Sequence, residues 1–145
     1  MKTLIGIFLY LSISACSAQL LVSVDEMNAS NNAQPPFKAK SVATKDAPVI
    51  ELSAPKLSAA VSSPTPIELK FQPTPPSAVK PETFKVLYGS FEIDITKRIL
   101  NVAKVTETGV FVQEANLPKG KHKLLMVVED NAGRRGNRSI DFEVK

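Results

Sequence analysis

Short apolar runs with a period of two most strongly constrain the fold of this chain. In Ile67–Phe71 and again in Ile140–Val144, every second residue is apolar. This period places the apolar side chains on one face of a β-strand, which can then pack against a second sheet. Turn-forming residues separate such runs at short intervals, a spacing typical of a β-sandwich.

The prolines indicate where these strands end. Ten of the eleven prolines lie between residues 35 and 81, before and after the early apolar runs. Because proline lacks a backbone N–H, it is expected at strand ends and edges. We predict an all-β sandwich of about seven to eight strands, in which Thr96–Ala103 can form one helical turn. The predicted strands are Val49–Leu52, Ile67–Phe71, Phe84–Tyr88, Glu92–Thr96, Asn101–Val105, Gly109–Val112, His122–Asp130 and Ser139–Val144.

The last two strands have a recognisable order of residues. Leu117–Gly120 reads Leu–Pro–Lys–Gly and precedes an apolar strand that ends at Asp130, a loop with Gly133 and Asn137, and a closing strand. This order resembles the end of bacterial immunoglobulin-like and fibronectin-type-III-like domains. The resemblance implies an immunoglobulin-like β-sandwich over residues 47–145, similar to those of uncharacterised bacterial secreted proteins. The chain has one cysteine and no tryptophan, so it lacks the disulfide and core tryptophan of antibody domains.

Residues 1–15 are organised like a secretory signal peptide. Lys2 precedes the almost wholly apolar run Leu4–Leu11, and small residues follow. The run is shorter than the roughly 20 residues that a membrane-spanning helix needs. A buried core helix is the alternative, but the position at the N-terminus and the polar sequence that follows favour a signal peptide.

The segment Ile13–Ser14–Ala15–Cys16 resembles the lipobox of bacterial lipoproteins. In that family, cleavage precedes a cysteine that carries a diacylglyceryl group, and two or three acyl chains give a stable membrane anchor. The resemblance implies lipidation of Cys16 and attachment to the cell envelope. Because Ser17 rather than an aspartate follows, it favours the outer membrane. The alternative is an ordinary signal peptide cut after Ala18, which gives a secreted protein.

Residues 16–46 are predicted to form a flexible linker between this anchor and the domain. They are rich in Asn, Ser, Ala and Pro and have no sustained strand or helix period. Such a segment buries too little apolar surface to offset its conformational entropy. The expected stalk is long enough to hold the domain clear of the lipid headgroups.

The composition leaves little material for catalysis or metal binding. One histidine and one cysteine do not make a zinc site, and a catalytic nucleophile needs a base beside it. We expect His122 to be exposed at the beginning of its strand, among lysines, and Asp130 to accept backbone N–H bonds in a turn. We predict a protein without enzymatic activity, cofactor, metal or small-molecule substrate. Nucleic acid is not expected as a partner, because no aromatic residues lie among the basic ones.

The last turn contains the strongest basic cluster of the chain. Arg134 and Arg135 lie in this turn and Arg138 follows, and guanidinium groups bind phosphate and carboxylate groups well. Phe91, just after a glycine, is the aromatic side chain most suited to contact a sugar. These residues predict a module that binds an anionic polysaccharide or cell-wall polymer.

A second candidate surface lies on the penultimate strand. Leu125 and Val127 make the outer face of this strand apolar, while Leu124, Met126 and Val128 face the core. Either another segment covers the two residues or they contact a partner. The preferred prediction is a binding or structural module that recognises an envelope protein, with the anionic polymer as the alternative.

Overall fold

The computed structural model describes residues 20–34 and 44–145. Two four-stranded antiparallel sheets form a β-sandwich, and two short helices accompany them. None of the helices within the described residues is long and apolar enough to cross a membrane. The elements in chain order are α1 (Val24–Asn32), β1 (Val49–Ala54), β2 (Thr65–Gln72), β3 (Val79–Tyr88), β4 (Ile93–Asp94), α2 (Thr96–Leu100), β5 (Ala103–Thr106), β6 (Gly109–Ala115), β7 (Gly120–Asp130) and β8 (Arg135–Val144).

The strand order is that of an immunoglobulin-like sandwich. The first sheet has the order β1-β2-β6-β5 and the second has the order β4-β3-β7-β8. Lettered along the chain with β4 as strand C′, these are the A-B-E-D and C′-C-F-G sheets of that fold. The predicted fold class is confirmed.

The core lies between the two sheets and follows the period of two. On β7, Leu124, Met126 and Val128 are buried as predicted. Phe71 of β2 and Phe84 of β3 meet across the sandwich, with their ring centroids 5.8 Å apart. Because such packing removes apolar surface from water on both sheets at once, it stabilises the sandwich without a disulfide or tryptophan.

The strands β3 and β4 differ in length from the predicted strands. The strand begins five residues earlier than expected and contains Pro81, at a point where its pairing with β7 is irregular between Lys80 and Lys85. An irregularity of this kind accommodates a residue that cannot donate to the ladder. β4 is shorter than expected, because the Asp94 carboxylate accepts a bond from Thr96 N at 2.9 Å and starts the turn into α2.

The linker prediction for residues 16–46 is wrong for residues 20–34, which pack onto the sandwich. Helix α1 begins with a capping box, in which Ser23 Oγ accepts from Glu26 N and the Glu26 carboxylate accepts from Ser23 N. Leu21, Val22 and Met27 are buried in the core cluster. Residues 44–46 of the predicted linker form a turn before β1. Residues 16–19 and 35–43 lie outside the described residues, as do the predicted signal peptide and Cys16.

Polar contacts hold the N-terminal segment on one end of the sandwich. Arg98 of α2 donates to both carboxylate oxygens of Glu26 at 2.8 Å and also donates to the carbonyl of Leu21. The bonds from Arg98, followed by the backbone bond from Ser23, lower the pKa of Glu26 to about 2. Leu21 N donates to Asn116 O at 3.1 Å. The folded unit therefore includes residues 20–34 as well as the predicted domain.

The other end of α1 contacts the turn between β3 and β4. Ser90 N donates to Ser30 Oγ at 3.0 Å, and Ser90 Oγ donates to the Ser30 carbonyl at 3.1 Å. Gly89 has a φ of 72°, and a Cβ atom at this position would collide with the Ser30 hydroxyl. The close approach of α1 to this turn thus depends on a residue without a side chain.

Replacement of Leu21 by alanine tests whether the N-terminal segment belongs to the fold. Leu21 is 2 % exposed, whereas its neighbour Leu20 is 51 % exposed. We expect Leu21→Ala to lower the free energy of unfolding by about 2 kcal/mol, the low end of the range for buried leucines, because a terminal segment can undock locally. Urea denaturation measures this change.

Leu20→Ala is the matched control and should leave the free energy of unfolding nearly unchanged. Equal, negligible effects of the two substitutions would mean that residues 20–34 do not pack on the domain in solution.

Candidate functional site

Three apolar side chains form a strip on the outer face of the second sheet. Leu125 and Val127 of β7 lie on the face opposite the core, as predicted, and Leu87 of β3 is the register partner of Leu125. All three are partly exposed. We call Leu87, Leu125 and Val127 the apolar strip. Leu87 was not among the predicted site residues, although its position between buried Val86 and Tyr88 places it on the same outer face.

Charged residues surround the strip. Asp94 is the register partner of Leu87, and Lys85 is that of Val127. Beyond Val127, Glu129 accepts two bonds from the Arg135 guanidinium at 2.6 and 3.0 Å. A shallow groove of about 410 Å³ runs between these residues. An apolar centre with a charged rim is the arrangement found at protein–protein contacts.

The described segments leave the strip partly open. Helix α1 contacts β7, but it does so at Gly120, which lies against Met27, and at Lys121, whose carbonyl accepts from Asn31 Nδ2 at 3.2 Å. These contacts lie at the beginning of β7, away from the strip. Of the two explanations offered for the apolar outer face, a covering segment is thus not found among residues 20–34 and 44–145.

The arginines of the last turn are engaged within the protein. The buried Asp130 carboxylate accepts from Ala132 N, from Arg134 N and from Arg134 Nε, the last at 2.8 Å. Burial acts to raise the pKa of Asp130, but the bonds from Arg134 and Ala132 outweigh it and hold the pKa below its usual value. Arg134 also donates to Ser77 Oγ at 2.6 Å. The expected role of Asp130 as the acceptor of the turn is confirmed.

The other two arginines do not join Arg134 in one cationic cluster. Arg135 forms its ion pair with Glu129, and Arg138 donates from Nη1 to the carbonyl of Ile50 at 3.1 Å. Each guanidinium therefore has an internal partner. A polymer that bound here would have to compete with these bonds or share their donors.

Two exposed phenylalanines lie outside the apolar strip. Phe91 is exposed in the turn between β3 and β4, as expected. Phe111 is exposed on the outer face of the first sheet, where Glu68 and Lys104 are its register partners. Phe111 was not among the predicted site residues, although the buried Val110 and Val112 on either side place it on the outer face.

The expectation of an exposed His122 is wrong. His122 is buried, stacked on Phe142 with ring centroids 5.4 Å apart. Its position was predictable, since the alternation that buries Leu124 also buries the residue two positions earlier. The lysines on either side of His122 obscured this pattern.

Both ring nitrogens of His122 have partners. Nε2 lies 2.7 Å from the carbonyl oxygen of Pro118, which can only accept, so Nε2 carries the proton. Nδ1 then accepts from the Tyr88 hydroxyl, 2.9 Å away. Burial followed by the charge of Glu26 raises the pKa of Tyr88 to about 12, so the hydroxyl keeps its proton as the donor. Neither nitrogen is positioned to act on a substrate.

The described residues contain no group of three or more His, Cys, Asp or Glu side chains that could hold a metal ion. Asp94 of β4 and Asp141 and Glu143 of β8 are exposed. The polar side chains brought together by the fold thus stabilise turns and the docked helix.

Acidification tests the state of His122. Burial lowers its pKa, so the unfolded chain, with a pKa of about 6.5, takes up a proton before the folded protein does. The free energy of unfolding should therefore fall as the pH drops from about 7 to about 5. Three carboxylates have a lowered pKa, those of Glu26, Asp94 and Asp130. Their protonation lowers the free energy of unfolding further only below about pH 4.5.

His122→Gln provides the control for this measurement. The variant should be less stable at neutral pH, because it disturbs two buried bonds, but its stability should be nearly flat between these pH values. An unchanged pH slope in His122→Gln would show that another group titrates.

Comparison with known proteins assigns no function to the residues described above. The interpretation of its residues therefore depends on their own geometry and chemistry. No protein-family model matches the chain, and a search of curated proteins finds no match.

Proposed function

We propose that this protein is a non-catalytic lipoprotein of the cell envelope whose sandwich binds a protein partner. In this proposal Cys16 carries the lipid anchor, and the apolar strip is the centre of the contact. The single observation that carries the binding role is the in-register pair of Leu87 and Leu125 beside Val127, partly exposed on the two central strands of the second sheet.

The chemistry of this surface favours a protein over a charged polymer. Burial of the strip removes apolar surface from water, and its rim offers both acidic and basic groups, Asp94 and Lys85 among them. A polyanion needs cations that are free to bind it. At the last turn, Arg134, Arg135 and Arg138 each donate to an internal acceptor instead.

We propose that the protein is not an enzyme because its one histidine is buried and has a hydrogen-bond partner at each ring nitrogen. His122 is buried between Tyr88 and Phe142, and its bonds to the Tyr88 hydroxyl and the Pro118 carbonyl occupy both ring nitrogens. A general base must reach the proton that it removes, so this histidine is unsuited to the role.

Metabolic labelling tests the anchor. Radioactive palmitate should enter the wild-type protein and should not enter Cys16→Ala, because the chain has one cysteine. Absence of label from the wild-type protein would reject the lipid anchor and favour cleavage after Ala18.

Affinity capture from an envelope extract tests the contact surface. The double variant Leu125→Thr/Val127→Thr gives each side chain a hydroxyl and makes both residues β-branched, so the outer face becomes less apolar and we expect the sheet to form. Loss of this apolar surface from the contact should weaken the binding of a defined partner at least tenfold, equivalent to about 1.4 kcal/mol. Quantitative elution against partner concentration measures the change.

The matched control is Gln113→Thr, an exposed position on the outer face of β6 in the other sheet. It should bind the partner as the wild-type protein does. Retention on anionic envelope polymer that Arg134→Ala/Arg135→Ala abolishes, without a protein partner that depends on the strip, would instead support the polymer as the ligand.

A further inference from the structure

The docked N-terminal segment sets a short distance between the proposed anchor and the domain. Leu21 is fixed on the sandwich by its bond to Asn116 O, and Leu20 is the first described residue. Four Cα–Cα steps separate Cys16 from Leu20. At full extension these steps span at most about 14 Å. A lipid on Cys16 would therefore hold this end of the sandwich next to the bilayer surface.

Four of the seven large apolar side chains that are exposed among the described residues belong to the segments joined to this end. Phe91 is 63 % exposed, Leu20 and Val24 are 51 % and 50 % exposed, and Leu100 is 46 % exposed. We call these four residues the end cluster. Large apolar side chains of this kind at a membrane-facing end can enter the boundary between headgroups and acyl chains.

The segments that carry the end cluster are bonded to one another. Leu20 precedes the stretch that Arg98 binds through the Leu21 carbonyl and Glu26, Val24 lies within that stretch, and Leu100 follows two residues after Arg98. Phe91 follows Ser90, which is bonded to α1 through Ser30. The four side chains thus belong to segments that are bonded to one another, namely residues 20–34, α2 and the turn between β3 and β4.

We propose that this end of the sandwich docks on the lipid bilayer, with the end cluster inserted into the interfacial region. The proposal rests on the lipid anchor of the proposed function. Exposed charges of both signs surround the cluster, Lys97, Lys119 and Lys121 against Asp25 and Glu92. Because these charges nearly balance, insertion of the apolar side chains drives the docking, and added salt has little effect on it.

Docking in this orientation fixes where the last turn and the apolar strip lie relative to the bilayer. The last turn, with Arg134 and Arg135, joins β7 to β8 at the other end of the sandwich. It therefore points away from the bilayer. The apolar strip lies along the side of the sandwich, on strands that run between the two ends. A partner bound to the strip would then stand beside the domain on the same membrane.

Depth-sensitive fluorescence tests the docking on the full lipid-modified protein in vesicles. The lipid occupies the thiol of Cys16, so a cysteine introduced by Phe91→Cys or Leu100→Cys is the one free thiol and accepts an environment-sensitive fluorophore. Both positions are exposed, so the fold should tolerate the label. The quencher sits on the acyl chains, because proximity to the membrane alone does not bring a probe into the hydrocarbon.

Ala132→Cys, exposed in the last turn, is the matched control. We expect severalfold stronger quenching at positions 91 and 100 than at 132, in phosphatidylcholine vesicles and equally in an equimolar mixture with phosphatidylglycerol, with little effect of salt. Equal quenching at all three positions, or quenching that needs phosphatidylglycerol and disappears with salt, overturns the apolar docking.

Flotation of the vesicles distinguishes the two proposals. Protein that floats with the vesicles but shows no selective quenching retains its anchor and lacks the docking. Protein that carries no lipid and does not float contradicts the anchor of the proposed function, and the docking falls with it.

Discussion

The guanidinium of Arg98 joins parts of the chain that are more than seventy residues apart, and it holds the N-terminal segment against the sandwich. It binds both oxygens of Glu26 and the carbonyl of Leu21, so one side chain fixes the start of α1 against α2. A bidentate pair of this kind gives direction as well as energy. Beside this pair, Leu21 and Val22 are buried in the core cluster.

Where alternation is regular, the sequence predicts the fold well. The inward residues of β7 and the closing strand β8 follow directly from a period of two, and the position of Leu125 and Val127 on the outer face follows from the same rule. Phe91 and the acceptor role of Asp130 were likewise readable from the local sequence. These features depend on neighbours in the chain.

The missed features depend on distant partners. Residues 20–34 have the composition of a linker, and only a few apolar side chains and the remote Arg98 make them part of the fold. Leu87 joins the candidate surface through its register with Leu125, which no local pattern specifies. The three arginines looked like a free cationic cluster, because the sequence does not show that Asp130, Glu129 and the Ile50 carbonyl accept their bonds.

The brevity of β4 has a consequence for crowding. β4 pairs with β3 at Leu87 and Tyr88, which leaves the first part of β3 at the margin of its sheet. Copies confined to a membrane meet far more often than copies free in three dimensions, and an open strand invites another strand to add to it. Pro81 offers no N–H there, and Lys80 and Lys85 repel the same lysines of a second copy. On a membrane, as proposed for this protein, such a margin would keep neighbouring copies separate and leave the apolar strip open to the proposed partner.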